Sequence, residues 1–222
     1  MYRQFVDRRH AGQLLAARLK AIGRDVVVLA LPRGGIPVAY EVAVALDAPL
    51  SVFVVRKLGV PGHPELAMGA IASGGIRVLN DALIRDLRIP AAAIDAAVAE
   101  ESQELARRER EYASAEPMPT VRGRTVLLID DGLATGATMR AAVLSIREQH
   151  PSRVIVAVPV GAPETCDGLR LDADEVICLE TPEPFSAVGL WYRRFEQTSD
   201  EEVRALLEAA ARRFVVRHRR TA

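Results

Sequence analysis

Residues 125–138 read Thr-Val-Leu-Leu-Ile-Asp-Asp-Gly-Leu-Ala-Thr-Gly-Ala-Thr. Val126 to Ile129 is a continuous apolar run, the pattern of a strand covered on both faces. It ends in two adjacent carboxylates, Asp130 and Asp131, then a loop of small residues, then a helical pattern from about Ala137 to Gln149. In open parallel sheets, ligands bind beyond the carboxyl ends of the strands. A loop that runs into a helix N-terminus also offers free N–H groups and the positive end of the helix dipole to an anion. Gly132, Ala134, Gly136 and Ala137 lack bulk, so backbone can close around a phosphate, and the Thr135 and Thr138 hydroxyls can donate to it. The spacing is neither GxxxxGK[ST] nor GxGxxG, so this is not a common nucleotide cradle. Ionised carboxylates only accept hydrogen bonds, which suits the hydroxyls of a sugar diol. Strand neighbours point to opposite faces. Both aspartates reach one diol only if the backbone leaves strand geometry, which Gly132 permits. A diol site beside a monophosphate site describes a ribose 5-phosphate. Taken alone, two aspartates after a strand read as a helix cap or a solvated strand end; the whole fourteen-residue string favours a site.

Outward from this segment, short apolar runs alternate with longer amphipathic ones. Val26 to Leu31 reads as a first strand, Ile36 to Leu46 as a helix and Leu50 to Val55 as a second strand. Val126 to Ile129 is the third strand and Val154 to Val160 the fourth, followed by a short helix from about Pro163; Val176 to Leu179 is the fifth. This rhythm predicts right-handed βαβ units and an α/β fold, a parallel five-stranded sheet flanked by helices. Leu66 to Asn80 breaks it and reads as a hairpin about Ser73-Gly74-Gly75. Ala91 to Tyr112, with only Ile94, Val98, Leu105 and Tyr112 as an apolar stripe, reads as a surface helix or an interface arm of a homodimer. Glu116-Pro117-Met118-Pro119 ends it. A last helix spans about Asp200 to Val216, and its basic end, Arg217-His218-Arg219-Arg220, suits the helix dipole.

The 222 residues fit one domain with elaborations. Lys plus Arg and Asp plus Glu both number 29, which removes the electrostatic case for nucleic-acid binding. Cys166 and Cys178 match no CxxC metal spacing and make no disulfide framework, so a reducing cytoplasm is the expected location. Met1 to Gly12 is charged and lacks the apolar run of a signal peptide, and no stretch approaches the roughly 18 apolar residues of a membrane span.

The string at 125–138 resembles the signature of the type I phosphoribosyltransferases: an apolar run, two acidic residues, then a Thr-Gly phosphate loop. By that resemblance Asp130 and Asp131 hold the ribose hydroxyls of phosphoribosyl pyrophosphate (PRPP) and sit by its Mg²⁺, while Ala134, Thr135, Gly136, Ala137 and Thr138 hold the 5-phosphate. The family has a short pyrophosphate loop where this chain has Leu31-Pro32-Arg33-Gly34-Gly35. Arg33 is a forked cation suited to phosphate oxygens, and Gly34 and Gly35 let backbone approach closely. The resemblance also implies a non-proline cis peptide on one side of Arg33. Arg56 and Lys57, read as the end of the second strand, would face the pyrophosphate. The turn-rich loop Gly59 to Pro64 and the hairpin occupy the place of a mobile lid, with His63 and Glu65 on it. In Thr181 to Gly189, Phe185 is the candidate to stack on a base, with Trp191 and Tyr192 next; packing of the C-terminal segment is the competing reading. His10 reads as a surface or cap residue. The Asp-Arg-Arg-His-Ala-Gly and Val-Arg-Lys-Leu-Gly-Val-Pro-Gly-His-Pro-Glu stretches are similar to a bacterial group of these enzymes without an assigned acceptor. Ala134 departs from the hypoxanthine-type enzymes, which carry an Asp there, and agrees with the adenine type.

The implied activity is a Mg²⁺-dependent transfer from PRPP to a nitrogenous base with release of pyrophosphate, and Arg33, Lys57 and Asp131 carry the chemistry. The alternative is a non-catalytic PRPP- or nucleotide-binding regulatory protein; a metal-dependent hydrolase ranks last, because further ligands are missing. The expected layout is one domain over 1–222. Its core is about 1–57 and 120–180, its lid hairpin and inserted helix 58–118, and its hood and last helix 181–222.

Overall fold

A computed structural model describes residues 2–23, 25–112 and 118–218. The chain begins with α1 (Arg8–Leu19), β1 (Val26–Ala30), α2 (Gly35–Leu46) and β2 (Leu50–Val52). Three strands follow, β3 (Val55–Val60), β4 (His63–Ala72) and β5 (Ile76–Leu79), then α3 (Asp81–Asp86) and α4 (Ala91–Glu111). The second half is β6 (Thr125–Ile129), α5 (Ala137–Arg147), β7 (Arg153–Val160), α6 (Pro163–Leu169) and β8 (Glu175–Glu180). A 3₁₀ turn (Val188–Trp191) leads to α7 (Asp200–His218).

The predicted α/β fold with five parallel strands is present, in the order β2-β1-β6-β7-β8. Its strands are apolar at nearly every position because each face is covered. Val26, Val28 and Ala30 join Leu127, Ile129, Ile155 and Ala157 in one core with α1, α2 and α7. Val27, Leu29, Val126, Leu128, Val154 and Val156 turn the other way, onto Met139, Val143 and Ile146 of α5. That two-residue alternation is the strand period itself. The chain passes from β1 outward to β2 and later returns to place β6 on the opposite side of β1. The order therefore reverses between β1 and β6, which pair in register up to Ala30 and Ile129. Their carboxyl ends lie side by side at the switch point, where open sheets bind ligands.

One boundary differs from the sequence reading. The second strand stops at Val52, and Val55 to Val60 starts a separate antiparallel sheet, β3-β4-β5. Phe53 still donates to Ala30 O at 2.9 Å, but Val54 N donates to Ser73 Oγ at 3.0 Å and Val54 O accepts from Ser73 N at 2.9 Å. The partner changes within an unbroken apolar run, so Arg56 and Lys57 sit on the small sheet and not at the end of the parallel one. Gly59 to Pro64 is no open loop: β3 and β4 meet at a tight turn, with Gly62 at φ +79°. The predicted hairpin at Ser73-Gly74-Gly75 is present as a three-residue loop between the paired Ala72 and Ile76, and both glycines have positive φ.

Helix α4 is not a free arm. Ile94, Leu105 and Tyr112 are buried with Leu58, Val60, Met68 and Ile71 of the small sheet. Helices α1 and α3 had no counterpart in the sequence reading. Arg217 of the basic tail pairs with Asp47 at 3.3 Å, whereas Glu116, Pro117, Arg219 and Arg220 lie outside the described residues. Cys166 and Cys178 are free thiols. Among the described residues no helix is long and apolar enough to cross a membrane.

Candidate functional site

Two loops leave the paired ends of β1 and β6 and press on one another. The first, Leu31 to Gly35, contains a cis peptide between Pro32 and Arg33, at the place the resemblance implied. A Cβ on Gly34 would overlap the Asp131 carboxylate, and one on Gly35 would meet Ile129 O. Only glycine lets these two strand ends approach so closely.

The second loop, Asp130 to Gly136, is pinned from outside. Leu133 N donates to Val160 O and Leu133 O accepts from Ala162 N, each at 2.9 Å. The Thr165 hydroxyl donates to Ala134 O at 2.6 Å. Gly136 caps α5 in the left-handed region, φ +69°. Leu133 O and Ala134 O are thus engaged by their neighbours, while Ala134 and Thr135 are exposed ahead of α5. The loop is therefore open to solvent at Ala134 and Thr135.

Asp130 accepts from the Asp131 amide at 2.8 Å. Burial raises both carboxyls above their ordinary range; the charge of Asp131 adds to this at Asp130, and Arg8 opposes it. Arg8 is the residue the sequence reading missed. Its Nε donates to Asp131 Oδ2 at 2.8 Å, and its guanidinium lies 3.8 Å from the centre of the Phe195 ring. Arg8 belongs to the Asp-Arg-Arg-His-Ala-Gly stretch, where nothing in the sequence beyond its charge sets it apart. In that stretch Asp7 caps α1 by accepting from His10 N at 2.9 Å, so His10 does sit in a cap.

The N-terminal segment and the 181–196 segment are joined around these acids. Phe5 N donates to Trp191 O at 2.8 Å, and Tyr192 donates its hydroxyl to Asp131 O at 2.6 Å. Phe185 is partly buried against the Phe5, Ala11, Val160 and Tyr192 cluster. Trp191 packs there too, and Tyr192 is buried, so aromatic packing occupies this segment.

The cations divide into two groups. Arg56 and Lys57 line a cavity of about 390 Å³ with Pro32, Thr138 and two residues of α4, Glu101 and Arg108. Arg33 is not in that lining; its guanidinium lies 3.4 Å from both carboxylate oxygens of Asp200. Tyr112 donates to the same carboxylate at 2.8 Å, and that bond, then the Arg33 charge, holds Asp200 below its ordinary range. Burial, then the Asp200 bond, pushes the Tyr112 phenol up to about 12. Neither Asp130 nor Asp131 lines the 390 Å³ cavity. The structure thus joins Gly34, Gly35, Asp130 and Asp131 at one point, and Arg56, Lys57 and Thr138 at a second. A larger concavity, about 880 Å³, lies between the small sheet and helices α5 and α6, with Thr135, Gly136 and Ala137 on its wall.

Among known proteins, the family model described as the phosphoribosyl transferase domain matches residues 5–191. Two Mycobacterium tuberculosis proteins, from strains CDC 1551 and H37Rv, are each 50% identical to this chain over 211 residues. Both carry phosphoribosyl transferase in their names, as a provisional assignment. The match covers 95% of this chain and 48% of each relative, so the chain spans about half their length. The crystal structure of TT1426 from Thermus thermophilus is 45% identical, with a TM-score of 0.85 over 92% of this chain and 97% of that one. On the family model and these relatives together, the chain belongs to the phosphoribosyl transferase family.

Proposed function

We propose that the protein transfers the phosphoribosyl group of PRPP to a nitrogenous base and releases pyrophosphate, with Mg²⁺ as cofactor. The observation that carries this reading is the meeting of the Pro32–Gly35 loop with Asp130 and Asp131 at the switch point, beside an open helix-capping cradle. A ribose placed there has acceptors for its hydroxyls. Its 5-phosphate would take the loop 134–138, and its diphosphate would draw on Arg33 and on the separate cavity of Arg56 and Lys57. Among the described residues no group of three or more His, Cys, Asp or Glu gathers to hold a metal alone. Two adjacent carboxylates suit an ion that arrives with its phosphate ligand and keeps much of its water. Bound there, Mg²⁺ would neutralise diphosphate charge.

In this reading Asp131, fixed by Arg8, orients the sugar next to the positive charge that grows at C1 as the diphosphate departs. Arg33 and Lys57 offset charge on the leaving group, an electrostatic contribution realised mainly in the transition state. Phe185 is the proposed contact for the base. The proposed layout keeps 1–57 and 120–180 as core, 58–118 as lid and inserted helix, and 181–222 as hood and last helix. The test is pyrophosphate release from Mg²⁺-PRPP across a panel of bases. Asp131→Asn and Arg33→Ala should each lower turnover by about a hundredfold or more. PRPP that binds but is never consumed would overturn the enzyme and leave a PRPP-binding regulatory protein.

A further inference from the structure

Helix α4 brings charge into the cavity of Arg56 and Lys57. Arg56 Nε donates to Glu101 Oε2 at 2.6 Å, with both side chains about a quarter exposed. Arg108, two turns further along the same helix, lines the same cavity. The lining therefore carries three cations, Arg56, Lys57 and Arg108, against one carboxylate, Glu101. Among the described residues Lys57 makes no ion pair. Arg108 has a partner that can release it. Glu104 accepts one bond from Arg108 Nε at 2.8 Å and two from Arg107, at 2.7 and 3.0 Å. When Arg108 turns away, Glu104 keeps both Arg107 bonds, so the exchange leaves no bare carboxylate. The helix itself stays in place through buried Ile94 and Leu105.

We propose that Arg108 of α4 is a further ligand for the diphosphate end of the substrate, and that Glu101 holds Arg56 in its place until that anion arrives. This rests on the functional reading above and extends it to a helix outside the 125–138 string and the Pro32–Gly35 loop. The Glu101 carboxylate occupies the position of an anion oxygen on Arg56. An incoming diphosphate replaces it and meets Arg56, Lys57 and Arg108 together. Ribose 5-phosphate lacks the diphosphate and meets this cavity only at Thr138, so the three cations favour the activated sugar over the spent one.

The experiment is calorimetric titration of the full chain with Mg²⁺ and inorganic pyrophosphate, and separately with ribose 5-phosphate. Arg108→Gln should weaken pyrophosphate by about tenfold and leave ribose 5-phosphate unchanged. Glu101→Gln should tighten pyrophosphate about two- to fivefold, because the competing ion pair is gone. Arg110→Gln, an exposed position on the same helix outside the cavity lining, is the control for net charge. Equal effects of Arg108→Gln and Arg110→Gln, or unchanged or weakened pyrophosphate in Glu101→Gln, overturn the inference while the parent still binds PRPP. A parent chain that binds neither pyrophosphate nor PRPP overturns this inference and the functional reading together.

Discussion

Asp130 is half-buried at the end of a strand with a second carboxylate as its neighbour, and its stability consequence has a definite sign. Burial, then the Asp131 charge, raises its carboxyl well above the ordinary range. The fold therefore prefers the neutral form. That contribution is complete below the unfolded value of about 3.9 and is lost as pH rises through the raised folded value. At neutral pH the ionised group costs stability, and each unit of elevation is worth about 1.4 kcal/mol. Asp130→Asn removes the charge and keeps an acceptor for the Asp131 amide. In melts with a chelator present, the variant should exceed the parent at about pH 8, by about 2–4 °C for each kcal/mol, and converge with it near pH 4. A lower melting temperature at pH 8 would contradict the burial argument. On the proposed function, the acid pair is kept at a cost in stability.

The Asp130–Gly136 loop owes its shape to one glycine and one threonine. Gly136 sits at φ +69°, where a side chain costs about 1–2 kcal/mol. A Cβ there would also overlap the Thr165 methyl, and Thr165 is fixed by its bond to Ala134 O. Gly136→Ala should destabilise by about 1–3 kcal/mol. Thr165→Ser removes the methyl and keeps the hydroxyl. In that background Gly136→Ala should cost less, with the remainder due to backbone alone. Denaturant melts of the four chains decide this, and a cost that does not change between backgrounds would refute the packing part. The element is legible in sequence because its Gly and Thr residues are local devices. Its anchoring to β7 and α6 is not, since Val160, Ala162 and Thr165 lie a strand and a helix away.

At the scale of the whole molecule, the proposed site is assembled from segments far apart in the chain. Arg8, Arg33, Arg56, Asp131, Tyr192 and Asp200 come from six different stretches, several tied by ion pairs or hydrogen bonds. A ligand that spans them binds the folded state and not the unfolded chain. At a hundred times its dissociation constant, Mg²⁺-PRPP should add about 2.7 kcal/mol, a rise of about 5–11 °C in a thermal melt. No shift would count against the proposed substrate. The sequence by itself determined the parallel sheet and the places of the acid pair, the small-residue loop before the helix and the Pro32–Gly35 loop, because strand burial, helix capping and glycine spacing are local and periodic. Only the tertiary structure decided three other things. Val55 to Val60 left the parallel sheet, because the partner change at Val54 occurs inside a run with no breaking residue. Arg8 reached Asp131, and Glu101 and Arg108 reached the cavity of Arg56, because contacts across dozens of residues follow from how strands are ordered and which helix faces are buried. Arg33 met Asp200 through the same long-range packing, and no spacing in the chain encodes that distance.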